Sequence, residues 1–300
     1  MDVFFITYDE PLKENFWGQL RERFPHFQRV DGVKGFSKAH RECAMRARTD
    51  RFFTIDGDSV LNERFGMQNI PENLLKSNYV LSWSSRNSIN GLAYGNGGVK
   101  NWPRDLMLTA KTHEDCDSET GAVDFCFTVD YYQMSEVLST SHVHATPLQA
   151  FRAGFREGMK MGLDRGKKII APLSHLGEEI HARVHASNIE RLKIWCSVGS
   201  DVENGLWAIY GARLGLYELY VNNMSLDNIR DYDWFALYWQ TVCAPFTSLG
   251  DTSALIRKIH EVGAEIDRHL RLQIVLLEPK DSAFFKSVYF NRPRQGLMFQ

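Results

Sequence analysis

The chain has 300 residues, of which 44% are apolar and 24% charged, with a net charge of −2; this suits one large domain or two modest ones around a substantial core. The composition excludes a disordered chain, and the near-balanced charge excludes a globally basic nucleic-acid binder, leaving any DNA contact to a local patch. No apolar run reaches the roughly eighteen residues of a membrane span, and residues 1–6 lack the basic start and long apolar core of a signal peptide.

Residues 3–7 read as a buried parallel strand. Tyr8-Asp9-Glu10-Pro11 is a turn that sets Pro11 at the first position of a helix, whose apolar stripe is Leu12, Phe16, Leu20 and Phe24. A short strand at 28–30 ends in Asp31-Gly32. A second helix spans 37–48, with Ala39, Cys43 and Ala47 on one face. The hydrophobic strand that follows runs straight into Asp56-Gly57-Asp58. This order predicts an α/β sheet with crossover connections, and ligands in such sheets collect at the carboxyl ends of the strands. Tyr8, Asp9, Asp31, Asp56 and Asp58 all follow strands and so share one rim.

Residues 79–83 are a further strand. Asn90-Gly91-Leu92-Ala93-Tyr94-Gly95-Asn96-Gly97-Gly98-Val99-Lys100 is the densest glycine cluster and reads two ways, as an ordinary hairpin or as backbone held close to a ligand. It has the spacing of neither the dinucleotide fingerprint nor the phosphate loop. Residues 123–129 are predicted as a strand carrying Asp124. From Pro147 the pattern turns helical. A helix over 149–163 packs through Phe151, Phe155 and Met159, while Arg152, Arg156 and Lys160 recur every four residues on one face. Residues 152–168 hold six basic and two acidic side chains, a local net of +4. That face is either simply solvated or tracks phosphates. The chain to about residue 272 stays mostly helical, with Leu255, Ile259, Val262, Ile266 and Leu270 marking a long amphipathic helix. The expected division is 1–146 as an α/β core and 147–300 as a mostly helical region packed on it.

Two carboxylates one residue apart at a strand end can hold Mg2+ or Mn2+ beside a diphosphate, since these ions take oxygen ligands and keep open positions. The ion then neutralises charge on a departing nucleoside diphosphate, which is the chemistry of sugar transfer from a nucleotide sugar. The plain alternative is an acidic turn. His142 and His144 follow the Asp124 strand and a helix; one of them, with His144 the candidate, completes a metal site begun by Asp58, or both lie in a surface turn. His175, His181 and His185 lack the H-E-x-x-H pattern of zinc proteases and read as a polar helix. Trp195, Trp207, Trp234 and Trp239 read as core. No G-x-S-x-G element occurs, which weakens a serine hydrolase reading. Five scattered cysteines with no C-x-x-C pair fit free thiols in a reducing cytoplasm.

Several blocks in order resemble the TET-associated glycosyltransferases of bacteriophages. They are Val3-Phe4-Phe5-Ile6-Thr7-Tyr8-Asp9-Glu10-Pro11, Arg29-Val30-Asp31-Gly32-Val33-Lys34-Gly35, Phe53-Thr54-Ile55-Asp56-Gly57-Asp58-Ser59, the glycine cluster, and Val123-Asp124-Phe125-Cys126. Gln149-Ala150-Phe151-Arg152-Ala153-Gly154-Phe155-Arg156-Glu157-Gly158-Met159-Lys160 follows, and a weaker block covers Asn204 to Arg213. The resemblance implies a glycosyltransferase A-type nucleotide-sugar-binding sheet with a mostly helical C-terminal half and a nucleotide-sugar donor, a UDP-sugar being expected. It implies an acceptor hydroxymethyl group on a pyrimidine of phage DNA, 5-hydroxymethylcytosine, made by a TET-like oxygenase, and hence work in the cytoplasm of the infected bacterial host. Asp56 and Asp58 match the family's metal motif.

The expected reaction displaces a nucleoside diphosphate from the anomeric carbon by the hydroxymethyl oxygen. An inverting route needs a carboxylate base, for which Asp124 is first candidate and Glu119 and Asp201 are reserves; a structural ion pair is the alternative role for Asp124, and a retaining route needs no such base. The donor is expected against Thr7, Tyr8, Asp9, Asp31 and Asp56, with Asn96, Gly97 and Gly98 closing beside it. Arg152, Arg156 and Lys160 are the expected DNA contacts. The rival readings are a glycosyltransferase acting on a protein or glycan, and a catalytically silent nucleotide-sugar or DNA-binding module.

Overall fold

The computed structural model describes residues 1–112, Glu114, 124–243, 252–291 and 295–298. The chain divides into two compact units, Met1–His142 with Phe290–Gln300, and Val143–Tyr289.

The first unit is an α/β sheet. Strands β1 (Asp2–Thr7), β2 (Gln28–Asp31) and β3 (Arg51–Asp56) alternate with helices α1 (Lys13–Arg23) and α2 (Phe36–Arg46), as the hydrophobic pattern predicts. β4 (Ser59–Leu61), α3 (Glu72–Leu75), β5 (Val80–Asn87), β6 (Ala93–Pro103), α4 (Arg104–Thr109), β7 (Tyr131–Ser141) and the tail strand β8 (Gly296–Met298) complete it. The strand order is β2-β1-β3-β6-β5-β7-β4, with β8 also on β7. β1, β2, β3, β5 and β7 run one way, and β4, β6 and β8 run against them. The carboxyl ends of the five co-directional strands therefore form one rim.

Each face of the sheet carries its own core. Phe5, Phe53, Ile55, Leu81, Trp83, Val99 and Leu138 pack with Phe16 and Leu20 of α1 on one side. Phe4, Val30, Phe52, Val80 and Trp102 pack with Cys43 and Ala44 of α2 on the other. Each fully buried aliphatic or aromatic side chain contributes about 1.5–3 kcal/mol, so the alternation along these strands fixes their register. Between β5 and β6, Trp83 pairs Val99 while Ser85 pairs Tyr94, so residues 95–98 of β6 bulge against Ser84. β5 and β6 thus make the hairpin that the glycine cluster allowed, with the glycines at its irregular point.

Two expectations around Asp124 do not hold. Phe125–Phe127 is a 3-10 turn rather than a strand, because the Asp124 carboxylate caps it by accepting from the Phe125 amide at 2.8 Å. Phe125 is buried among Phe36, Trp102 and Tyr131; an aromatic run looks alike in either conformation. Val123 and Glu119 lie outside the described residues. The helix expected before His142 is instead β7, held by long-range pairing to β5, β4 and β8.

In the second unit the named elements are helical: α5 (Pro147–Met161), α6 (Leu173–Arg183), α7 (Ala186–Trp195), α8 (Gly205–Tyr220), α9 (Tyr232–Val242), α10 (Thr252–Leu270) and α11 (Pro279–Val288). Thr146 caps α5 by accepting from the Gln149 amide, and Pro147 sits in the first turn, a strong start signal. α5 and α8 pack backbone to backbone. A Cβ on Gly154 would stand 1.9 Å from the Ala208 carbonyl oxygen, and one on Gly158 2.1 Å from that of Ala212. The glycines of the Arg-Ala-Gly-Phe-Arg-Glu-Gly block are therefore packing residues. Leu255, Ile259, Ile266 and Leu270 of α10 are buried as the stripe predicts. Trp195 is buried, while Trp207, Trp234 and Trp239 are half-buried against other rings. Among the described residues no helix is long and apolar enough to cross a membrane.

Candidate metal and donor site

The register of the parallel strands brings the predicted rim residues of the first unit together. Thr7 pairs Asp31 across β1 and β2, and Ile6 pairs Asp56 across β1 and β3. The Thr7 hydroxyl donates to Asp31 at 2.6 Å, Lys13 donates to the same oxygen at 2.9 Å, and the Arg29 guanidinium stands 3.3 Å from it. Burial raises the Asp31 pKa, but these partners outweigh it and hold the carboxyl below its ordinary value. Tyr8 is half-buried and Asp9 exposed; the Tyr8 carbonyl accepts from Lys13 at 2.7 Å.

A second, acidic cluster sits at the end of β3. The Tyr8 amide donates to Glu10 Oε2 at 2.7 Å, which turns that carboxylate back over the rim. A Cβ on Gly57 would stand 2.7 Å from the Ile6 carbonyl oxygen and 2.9 Å from Glu10 Oε2, so glycine is required between the two aspartates. Burial raises the pKa of Glu10, and the charges of Asp9 and Asp56 add to it. Burial likewise raises Asp56; Asp124 adds repulsion and Lys100 opposes it. Asp58 is pushed up to about 7, by burial first and then by Asp56 and Glu10. Its carboxylate accepts from the Ser59 hydroxyl at 3.1 Å, and its backbone carbonyl accepts from the His142 amide at 2.7 Å.

The glycine bulge closes the other side. A Cβ on Gly98 would meet Ser59 Oγ at 1.9 Å and Asp56 Cβ at 3.6 Å, and one on Gly97 would meet the Ser85 amide nitrogen at 2.2 Å. Asn96 lies in the same stretch of β6. Two carboxylates one residue apart, a third folded over them and all three raised in pKa make a hard oxygen donor set with excess negative charge. Carboxylate oxygens are the ligand type that Mg2+ and Mn2+ take. Among the described residues no group of three or more His, Cys, Asp or Glu side chains is placed to hold a metal ion. Glu10 and Lys100 were not singled out from the sequence. Glu10 was hidden in a turn motif where Asp9 looked equally placed, and Lys100 closed a block read for its glycines.

The remaining candidates are placed as follows. Asp124 caps its 3-10 turn and lies close enough to Asp56 for their charges to interact. The His144 ring engages the Glu203 carbonyl at 2.9 Å within the second unit, whereas His142 belongs to the first unit, with its ring 5.5 Å from that of Phe16. Asp201 is held by Lys286 and by the Ser282 hydroxyl, both on α11. Arg152, Arg156 and Lys160 are half-buried on α5; Arg152 stacks 4.4 Å over Tyr232, and Lys160 pairs with Glu157 at 3.1 Å. His181 engages the Arg271 carbonyl, and His185 caps α7.

No protein-family model matches the chain, and no curated protein matches it. Among solved structures it is similar to the mannosyltransferase PcManGT from Pyrobaculum calidifontis in complex with GDP-Man and Mn2+, at 12% identity over 86% of this chain and 85% of that one, with a TM-score of 0.34. It is also similar to S. aureus TarS 1–349, at 11% identity over 80% of this chain and 92% of that one, with a TM-score of 0.28. Likeness of this size assigns neither fold nor function.

Proposed function

We propose that this chain is a metal-dependent glycosyltransferase that takes a sugar from a nucleotide-sugar donor. The observation that carries the reading is the acidic cluster of Asp56, Asp58 and Glu10, crowded against Gly57 at the end of β3 and beside the Thr7–Asp31 pair. Asp58, with Asp56, would hold Mn2+ or Mg2+. When bound, the ion supplies positive charge to the diphosphate leaving group. Thr7, Tyr8, Asp9 and Asp31 take the nucleoside, Tyr8 by stacking and Asp31 by hydrogen bonding. Asn96, Gly97 and Gly98 line the sugar or acceptor side. The acceptor oxygen forms a bond to the anomeric carbon as the carbon–diphosphate oxygen bond breaks. In an inverting route Asp124 accepts the hydroxyl proton. Its interaction with Asp56 supports that position.

The acceptor is 5-hydroxymethylcytosine in phage DNA, and the donor a UDP-sugar. Support for this finer reading comes from the sequence blocks and from the basic face of Arg152, Arg156 and Lys160, which would contact phosphates. A preceding hydroxylation of methylcytosine by a TET-like oxygenase would supply the substrate, in the cytoplasm of an infected bacterium. The test is mass spectrometry of hydroxymethylated DNA incubated with the protein, Mn2+ and a panel of nucleotide sugars. A hexose adduct on the pyrimidine is expected. Donor consumption without DNA modification would move the acceptor to a protein or glycan. Donor binding with no turnover and no response to Asp58→Asn would leave a silent binding module.

A further inference from the structure

β6 buries a lysine, Lys100, beneath the rim. The Lys100 side chain is 4% exposed. Its ammonium donates to the Gly97 carbonyl at 2.9 Å, stands 3.4 Å from Asp56 Oδ2, and lies 5.5 Å from the centre of the Phe125 ring. It therefore joins three pieces of the rim: the glycine bulge, the first aspartate of the pair, and the turn that Asp124 caps. Burying an ammonium is unfavourable unless it is paired, and here its carboxylate partner belongs to the proposed metal pair.

We infer that Lys100 is an internal counter-ion and positioning residue for the metal pair. It engages Asp56 Oδ2 and ties it to the Gly97 carbonyl, so that Asp56 presents its other oxygen to the rim in a fixed orientation. This inference rests on the proposed metal reading and deepens it. Two consequences follow from charge and geometry. A cation at Asp56 must share its carboxylate with an ammonium already in contact, and like charges at such separation weaken each other's binding. The same ammonium fixes Asp56 and the bulge relative to each other, and so the geometry in which a donor meets the metal. Lys100 thus lowers intrinsic metal affinity and raises turnover.

The experiment is a Mn2+ titration by calorimetry without donor, on wild type, Lys100→Met, Lys100→Gln and Lys100→Arg, with donor turnover measured beside it. Lys100→Met and Lys100→Gln are expected to bind Mn2+ about tenfold more tightly and to turn over at least tenfold more slowly. Lys100→Arg retains the charge and is expected to bind Mn2+ within about twofold of wild type. A purely structural lysine would not move affinity and turnover in opposite directions. Equal or weaker Mn2+ binding by the neutral variants, or unchanged turnover, would overturn the inference while leaving the metal reading intact. Failure of both neutral variants to fold would also overturn it, by showing a structural lysine. If wild type binds no Mn2+, the metal reading itself fails.

Discussion

The rim of the first unit and the α5–α8 pair of the second carry the two most distinctive glycine patterns in the sequence, and they use glycine for opposite ends. In α5 and α8 the missing Cβ atoms let two helices touch through their backbones, as at Gly158 against the Ala212 carbonyl. The result is tight packing, beside which Lys160 pairs with Glu157 and Arg152 stacks on Tyr232. At the rim, Gly57 and Gly98 let carboxylates and hydroxyls crowd together. The result is an acidic cluster whose members are pushed toward their neutral forms, Asp58 up to about 7. Buried groups driven against their charge mark functional sites more often than balanced packing does. The comparison teaches that a glycine motif becomes informative only with the electrostatics around it.

The sharpest break between the two regions comes from Asp58→Asn. Donor turnover should fall about a thousandfold or more, because stabilisation of the leaving diphosphate is lost. Folding stability without metal should hold or rise, since one half-buried, repelled carboxylate disappears. Thermal unfolding checks both halves: Mn2+ at a hundred times its dissociation constant should stabilise wild type by about 2.7 kcal/mol and leave the variant unmoved. Full turnover in the variant, or in wild type with chelator, rejects the assignment.

A pair of glycine substitutions separates packing from site geometry. Gly158→Ala forces a methyl to within 2.1 Å of the Ala212 carbonyl oxygen and should cost about 1–3 kcal/mol in denaturant unfolding, the usual cost of overpacking. Its Mn2+ response should survive. Gly98→Ala puts a methyl 1.9 Å from Ser59 Oγ, the hydroxyl that donates to Asp58, and should lose the Mn2+ response at a smaller stability cost. Equal behaviour of the two would erase the distinction drawn here.

Legibility in the sequence divides along similar lines. β1, β2, β3, α1, α2, α5 and α10 could all be read, because local periodicity and cap residues such as Thr146 specify them. The placing of Asp31 and Asp56 at the ends of strands on one rim followed from strand order. β7 was missed because its stability comes from pairing with strands distant in sequence, and the turn at Phe125 was missed because only its capping carboxylate distinguishes it from a strand. Glu10 and Lys100 escaped notice because their significance lies in what they face. Neither the backbone turn that brings Glu10 over Gly57 nor the depth of Lys100 beneath Asp56 has a local signature.

The basic face of α5 carries the next prediction. If that face also tracks phosphates, Arg152→Ala, Arg156→Ala and Lys160→Ala should each weaken duplex binding a few-fold and reduce the slope of log affinity against log salt by about 0.9 per lost contact. Fluorescence anisotropy across a salt series reads both quantities. Unchanged affinity and slope in all three would confine these side chains to the packing roles seen with Tyr232 and Glu157.

The smallest expected effect belongs to Asp31, which lies at the rim yet is balanced like the helices. Lys13, Thr7 and Arg29 hold its pKa below the ordinary value. A depressed acid contributes stability above its unfolded pKa and loses it as pH falls through the folded value. The Asp31 side chain is 43% exposed, so solvent screening should limit the cost of Asp31→Asn to about 0.5 kcal/mol at neutral pH. The difference from wild type should shrink below about pH 4 and in high salt. If Asp31 also holds the nucleoside, the same variant should raise the donor KM about tenfold with little change in kcat, the mark of binding lost equally from ground and transition states. A KM shift far beyond what 0.5 kcal/mol of stability predicts would place Asp31 with the site. A stability loss without a KM shift would return it to the scaffold.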